Sequence, residues 1–235
     1  MESLVKKEGI VSSSGKIDDD MSLTSIGKKR NKNLKWDMLV LLVDLSGSMA
    51  GGLESGISKL DAEIDALTNM IEKGQDGQDT LIVEFPSDDD GDKEVTVSMV
   101  MNKPSIIMSY IRAFSPRGCT PMYSALQEAY DRTIERSPRF MLLSDGHPND
   151  MGHNAGDILR LVEKNKDVAT IDVVGIGDPG SGNYDPVFLK KIAELTGGIY
   201  TEVMDYEQFV KELLELAPAN RGQITDGKSG GVIAL

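Results

Sequence analysis

The chain has 235 residues and a net charge of −13, with 38 acidic against 25 basic side chains. A body that acidic repels a phosphate backbone and attracts divalent cations, so it argues against nucleic-acid binding. Its single cysteine, Cys119, rules out an intramolecular disulfide, and no apolar run is long enough to span a bilayer.

Residues 1–34 read as a flexible polar lead-in ending near the basic knot Lys28-Lys29-Arg30-Asn31-Lys32. One domain is expected over 35–217, and a Gly-rich tail over 218–235. With no apolar signal segment at the start, the expected location is cytoplasmic. The domain opens on the unbroken apolar run Met38-Leu-Val-Leu-Leu-Val43, which predicts a strand buried on both faces. At its end stand Asp44, Ser46 and Ser48, one carboxylate and two hydroxyls within five residues. Burying such a cluster is costly unless it is paired or holds a cation.

Ile57, Leu60, Ile64, Leu67 and Ile71 then mark one face of an amphipathic helix over about 55–73. Strands are expected at 80–85 and 94–101; the short polar turn between them requires an antiparallel pair. Pro104 opens a short helix. In the next loop, Thr120 is read as an N-cap with Pro121 at the first helical position, leading a helix to about residue 136. A strand at 139–144 ends in Asp145-Gly146. After it come a helix around Ile158–Val162, a strand at 168–176, a helix capped by Asp185-Pro186 and stopped by Gly197-Gly198, a strand at 198–203, and a last helix started by Asp205-x-x-Gln208.

Strands alternating with helices define an α/β fold: a doubly wound, mostly parallel open sheet with one antiparallel edge strand and helices on both faces. Ligands bind such sheets outside the carboxyl ends of the strands, where Asp44, Thr120 and Asp145 all fall.

Asp44-x-Ser46-x-Ser48, Thr120 in a Gly-x-Thr-Pro turn, and Asp145-Gly146 at a strand end resemble the metal-ion-dependent adhesion site of von Willebrand factor A domains. The segments Gly118-Cys-Thr-Pro-Met-Tyr-Ser-Ala-Leu126 and Leu142-Leu-Ser-Asp-Gly-His-Pro-Asn-Asp150 are most similar to the intracellular TerY-like branch, with Cys119 standing where that branch usually has Gly. The resemblance implies Mg²⁺, with Mn²⁺ or Ca²⁺ as substitutes. Ser46 and Ser48 would bind directly, Thr120 directly or through water, and Asp44 and Asp145 through ordered waters. It also implies a protein partner presenting Asp or Glu, a kinase- or phosphatase-like protein of a stress or tellurite-resistance system, and no catalysis. Hard, mostly neutral oxygen donors suit Mg²⁺ better than Zn²⁺.

Other signals are weaker. Gly175-Ile-Gly177-Asp-Pro-Gly180 matches a dinucleotide fingerprint but places Asp178 where a pyrophosphate would lie. Asp88–Asp92 lacks the first and last ligands of a calcium loop, and reads as a solvated turn. His147 and His153 read as exposed loop residues, and Cys119 as a small buried one. A phosphohydrolase using Asp44 as nucleophile would need an acid two residues on, where Ser46 stands, and a lysine among the strand ends, which the sequence does not point out. A cell-surface adhesin is the remaining alternative.

Overall fold

A computed structural model describes residues 36–73, 77–87, 94–146, 148–149, 152–178, 182 and 184–216, with side chains through 214. The predicted lead-in 1–34, the polar turn 88–92, His147 and the tail 218–235 lie outside the described residues.

Six strands form one sheet: β1 (Met38–Asp44), β2 (Asp79–Phe85), β3 (Thr96–Val97), β4 (Pro138–Ser144), β5 (Thr170–Ile176) and β6 (Tyr200–Val203). Their spatial order is β3-β2-β1-β4-β5-β6, parallel throughout except for antiparallel β3 at one edge. The winding reverses between β1 and β4, and Asp44 and Asp145 stand at the carboxyl ends of those two strands.

Every residue of β1 is buried, and the period of two divides it between two cores. Leu39, Leu41 and Val43 pack with α1 (Lys59–Glu72), α2 (Pro104–Ile111) and α6 (Tyr206–Leu216). Met38, Val40 and Leu42 pack with α3 (Met122–Arg132), α4 (Ala155–Lys164) and α5 (Pro186–Thr196). The site thus sits at the end of a strand clamped on both faces.

Three elements differ from the sequence expectation for identifiable reasons. Helix α1 starts at Lys59 because the Ser58 hydroxyl caps it, accepting the Asp61 N–H at 3.0 Å; Ile57 lies outside the helix and is exposed. The strand expected over 94–101 is ordered as a ladder only at Thr96–Val97. Beyond it Ser98 Oγ accepts the Ile82 N–H, Met99 and Val100 are exposed, and pairing resumes at Thr80–Met101. The partner of Thr80 is one residue later than the Val83–Val97 register allows, which is a bulge in an edge strand. Helix α3 ends at Arg132 rather than 136, where the Thr133 hydroxyl turns back onto the carbonyls of Ala129 and Tyr130. The expected caps on α5 and α6 are present: Asp185 Oδ1 accepts the Phe188 N–H and Asp205 Oδ1 the Gln208 N–H. Gly197 closes α5 in the left-handed conformation.

Candidate metal centre at the β1 and β4 ends

Four backbone segments meet at the carboxyl edge of the sheet. Leu45 donates to the Phe85 carbonyl, Arg117 N–H to the Leu45 carbonyl at 2.6 Å, and Gly47 N–H to the Gly118 carbonyl at 3.2 Å. The Thr120 carbonyl accepts from Asn149 N–H at 3.0 Å. These bonds tie the Ser46–Ser48 segment to the Thr120 loop, and that loop to the segment after β4. The result is an open crevice lined by Ser46, Gly47, Ser48, Gly118, Cys119, Thr120 and Asn149.

The predicted hydroxyls converge on this crevice. Ser46 Oγ and Ser48 Oγ lie 2.9 Å apart, and the short 3₁₀ turn Gly47–Ala50 carries Ser48 back over Ser46. Thr120 is buried against the same crevice, but it does not cap α3: Pro121 occupies the N-cap position with no side-chain cap bond, so the sequence expectation is corrected. Cys119 is exposed, contrary to the expectation of a buried small residue. Asn149 joins the lining although sequence reasoning did not single it out; its place in the quoted segment after Asp145-Gly146 was the available signal.

Beneath the hydroxyls are the two predicted carboxylates, both fully buried. Asp44 Oδ1 accepts the Ser46 N–H at 2.9 Å and Oδ2 the Ser144 hydroxyl at 2.6 Å. Burial, and then the charge of Asp145, pushes the Asp44 carboxyl up to about 7 against the lowering pull of its Ser144 and Ser46 hydrogen bonds. Asp145 Oδ2 accepts from Lys59 Nζ at 3.1 Å, while its Oδ1 is buried with no hydrogen-bond partner.

Two charged residues of this assembly also escaped the sequence reading. Lys59 and Glu63 lie one turn apart on α1, in the stripe continued by the buried Ala66 and Met70. Glu63 is 0 % exposed, and neither carboxylate oxygen has a hydrogen-bond partner. Burial drives its carboxyl well above the usual glutamate range, with the charges of Asp44 and Asp145 adding to the effect. The available signal was two charged residues occupying the first half of an otherwise apolar helical stripe. Lys59 also corrects the expectation that no lysine attends the strand ends.

Gly146 closes the floor. It has φ +81°, and a Cβ there would lie 2.6 Å from Leu189 Cγ, so α5 packs where any side chain would stand. Gly175, the first glycine of the fingerprint-like run, lies within β5 and serves packing as well: a Cβ there would lie 2.5 Å from the Tyr184 hydroxyl, which bonds to that of Tyr200. His153 is half-buried rather than exposed, stacked on the Tyr123 ring at 3.7 Å.

The donor set fits a hard divalent cation. Among the described residues, no group of three or more His, Cys, Asp or Glu side chains is placed to hold a metal ion together. The residues lining this edge instead offer neutral oxygen donors, the hydroxyls of Ser46, Ser48 and Thr120. The unpartnered Asp145 Oδ1 is the kind of buried acceptor that a metal-bound water satisfies.

The sheet order and the crevice at the winding reversal are those of an open, doubly wound α/β domain with its cleft at the carboxyl edge. The chain belongs to the von Willebrand factor type A domain family, whose model matches residues 37–202. This is a family of protein-interaction modules. No curated protein matches the chain by sequence. Solved structures share the fold. A von Willebrand factor type A protein from Catenulispora acidiphila aligns with a TM-score of 0.63 and 20% identity, over 79% of this chain and 43% of that one. The conserved hypothetical protein BatB from Bacteroides thetaiotaomicron aligns with a TM-score of 0.60 and 13% identity, over 79% and 98%. The vWF domain of the type V pili tip protein Mfa5 from Porphyromonas gingivalis aligns with a TM-score of 0.60 and 14% identity, over 83% and 99%. The chain thus spans less than half of the first of these and nearly all of the other two. Among the described residues no helix is long and apolar enough to cross a membrane.

Proposed function

We propose that this domain is a non-catalytic, Mg²⁺-dependent protein-interaction module that captures an acidic side chain of a partner protein. The observation that carries the reading is the convergence of Ser46, Ser48 and Thr120 on one open crevice above the buried Asp44 and Asp145. Ser46 and Ser48 supply direct hydroxyl ligands and Thr120 a third, direct or through water. Asp44 orients Ser46 through its backbone N–H, and Asp145 offers Oδ1 to a coordinated water. Mg²⁺ bound there supplies a local positive charge with an open position, on a domain whose net charge would otherwise repel a carboxylate. Mn²⁺ or Ca²⁺ would substitute at the same oxygens.

The TerY-like segments around Thr120 and Asp145 support an intracellular, stress-response setting with a kinase- or phosphatase-like partner. A phosphohydrolase is disfavoured because Ser46 stands where the general acid is needed and Lys59 is engaged by Asp145. The expectation is no turnover of a generic phosphoester. A second reading, display on the cell surface, is favoured by two structural neighbours, the pilus adhesin SpaC of Lactobacillus rhamnosus and the Mfa5 tip protein. Fractionation of the source cell separates the two settings.

Titration calorimetry with Mg²⁺ tests the core of the proposal. Wild type should bind one ion and Asp44→Ala should not. Absent binding to the wild type, or equal binding to both, overturns it. A pull-down with and without EDTA, read by mass spectrometry, should return a partner only in the metal-loaded arm.

A further inference from the structure

Glu63 poses a problem that the metal site as described does not solve. A fully buried carboxylate with both oxygens unpartnered is costly wherever it occurs, and here it faces two more buried carboxylates, Asp44 and Asp145. The nearby cation with which it shares a helix face is Lys59, one turn earlier, yet the ammonium of Lys59 is on Asp145. Lysine and glutamate four residues apart on a helix are neighbours within reach of one another. The lysine stem is confined. A Cβ on Gly51 would lie 3.9 Å from Lys59 Cε, and one on Gly177 would lie 3.5 Å from Lys59 Nζ, so the head group sits between the end of the 3₁₀ turn and the end of β5. From there it pairs with Asp145, and Glu63 lies one helical turn further along α1.

We propose that Lys59 is a tethered cation that moves from Asp145 to Glu63 when a divalent ion occupies the hydroxyl crevice. The inference rests on the Mg²⁺ reading given above. An ammonium on Asp145 and a divalent ion coordinated next to that residue repel each other, and both claim the same carboxylate. Glu63, buried and unpartnered, is the acceptor that lets Lys59 withdraw without leaving a buried ammonium unpaired. Asp145 is released to its outer-sphere role, and the Glu63 carboxylate gains the partner it lacks. Lys59 and Glu63 then set the metal affinity without contacting the ion. By linkage, whatever strengthens the Lys59–Asp145 pair weakens ion binding by the same factor.

The test is a double-mutant cycle on the full chain, read as Mg²⁺ affinity by calorimetry, with thermal melts confirming that each variant folds. Lys59→Met should tighten Mg²⁺ binding about tenfold, and Glu63→Gln in the wild-type background should weaken it about tenfold, the range of an ordinary coupling. In the Lys59→Met background Glu63→Gln should have about a fifth of that effect or less, because no ammonium remains to relocate. A crystal structure of the Mg²⁺-loaded wild type is the second measurement, and it should show Lys59 Nζ on Glu63. Mg²⁺ binding by the wild type with Lys59 still on Asp145, or with additive effects in the cycle, overturns the inference and leaves the interaction-module reading standing. Binding by Lys59→Met but not by the wild type overturns the relocation, because the ammonium then blocks the ion instead of yielding to it, and overturns Mg²⁺ dependence of the wild type as well. No binding by either overturns both.

Discussion

The Ser144 hydroxyl donates to Asp44 Oδ2 at 2.6 Å, joining residues 100 apart in sequence at the ends of two neighbouring strands. The same hydroxyl oxygen accepts the Gly146 N–H at 2.9 Å, so one side chain fixes both Asp44 and the turn that follows β4. Ser144 is fully buried and lies outside the five residues predicted from sequence, yet it is the contact that makes the Asp44 carboxylate tolerable in place.

Ser144→Ala should therefore destabilise the metal-free protein by about 1–3 kcal/mol, the cost of stranding a buried acceptor. The sign of its pH dependence follows from Asp44. The Ser144 bond favours the ionised carboxylate, so its contribution is present above the folded-state value of about 7 and fades below it. Urea melts should show a larger loss at about pH 8.5 than at about pH 5. Equal losses at the two pH values would show that Asp44 is held by something else.

Stability of the metal-free protein itself should fall as pH rises. Glu63 and Asp44 both have folded-state values raised above those of the unfolded chain, so the folded state binds more protons across the intervening range. Stability from this source is complete below the unfolded carboxylate values and is lost as pH climbs through the folded ones. The charged groups acting on Glu63 are Asp44 from β1 and Asp145 from the end of β4, while Lys59, one turn earlier on its own helix, is paired with Asp145. Thermal melts should peak near about pH 5 and decline toward about pH 8, and Glu63→Gln should flatten that decline. A melting temperature rising over that interval would contradict the burial of these carboxyls as acids.

What the sequence carried and what it concealed divide along a physical line. The run 38–43 is apolar at every position, so its burial on both faces could be read directly, as could the Asp185 and Asp205 caps, which act within three residues of themselves. Asp44, Ser46, Ser48, Thr120 and Asp145 were legible because each ends a strand or opens a turn, and the doubly wound topology collects those positions at one edge. Lys59, Glu63 and Ser144 were not. Lysine and glutamate on a helix ordinarily face water, and a serine at a strand end ordinarily belongs to a turn. Their burial follows from how α1 docks on β1 and how β4 registers with β1, neither of which a local pattern encodes. The bulge after β3 was hidden for a similar reason: Val97 to Met101 keeps a strand-like composition while Ser98 replaces a backbone acceptor with its side chain.

Gly146 offers a test of packing at the floor of the site. With φ +81° and Leu189 Cγ 2.6 Å from where a Cβ would stand, Gly146→Ala incurs both backbone strain and a clash. A loss of about 2–4 kcal/mol is expected, combining an unfavourable left-handed residue with overpacking. Adding Leu189→Ala should remove the clash but open its own cavity, so the double variant should be less destabilised than the sum of the two singles. Chemical denaturation of all three proteins decides it; strict additivity would mean that α5 does not press on this turn.

Arg117 carries the last prediction, about how the Thr120 loop is held. Its guanidinium donates to Glu84 Oε2 at 2.6 Å and to the Pro86 carbonyl at 3.0 Å, while its backbone N–H bonds to Leu45. Both side chains of the ion pair are largely buried, so breaking it from one side leaves an uncompensated charge at the end of β2. Arg117→Met should cost about 3 kcal/mol of stability, and adding Glu84→Gln should recover part of that by removing the stranded carboxylate. The site should feel the change because the next residue, Gly118, accepts the Gly47 N–H and positions the loop against Ser46 and Ser48. Amide exchange at Gly47 should accelerate in Arg117→Met more than at residues of β5, and Mg²⁺ affinity should fall with it. Unchanged protection at Gly47 alongside a lower global stability would show that the ion pair braces β2 without setting the position of Thr120.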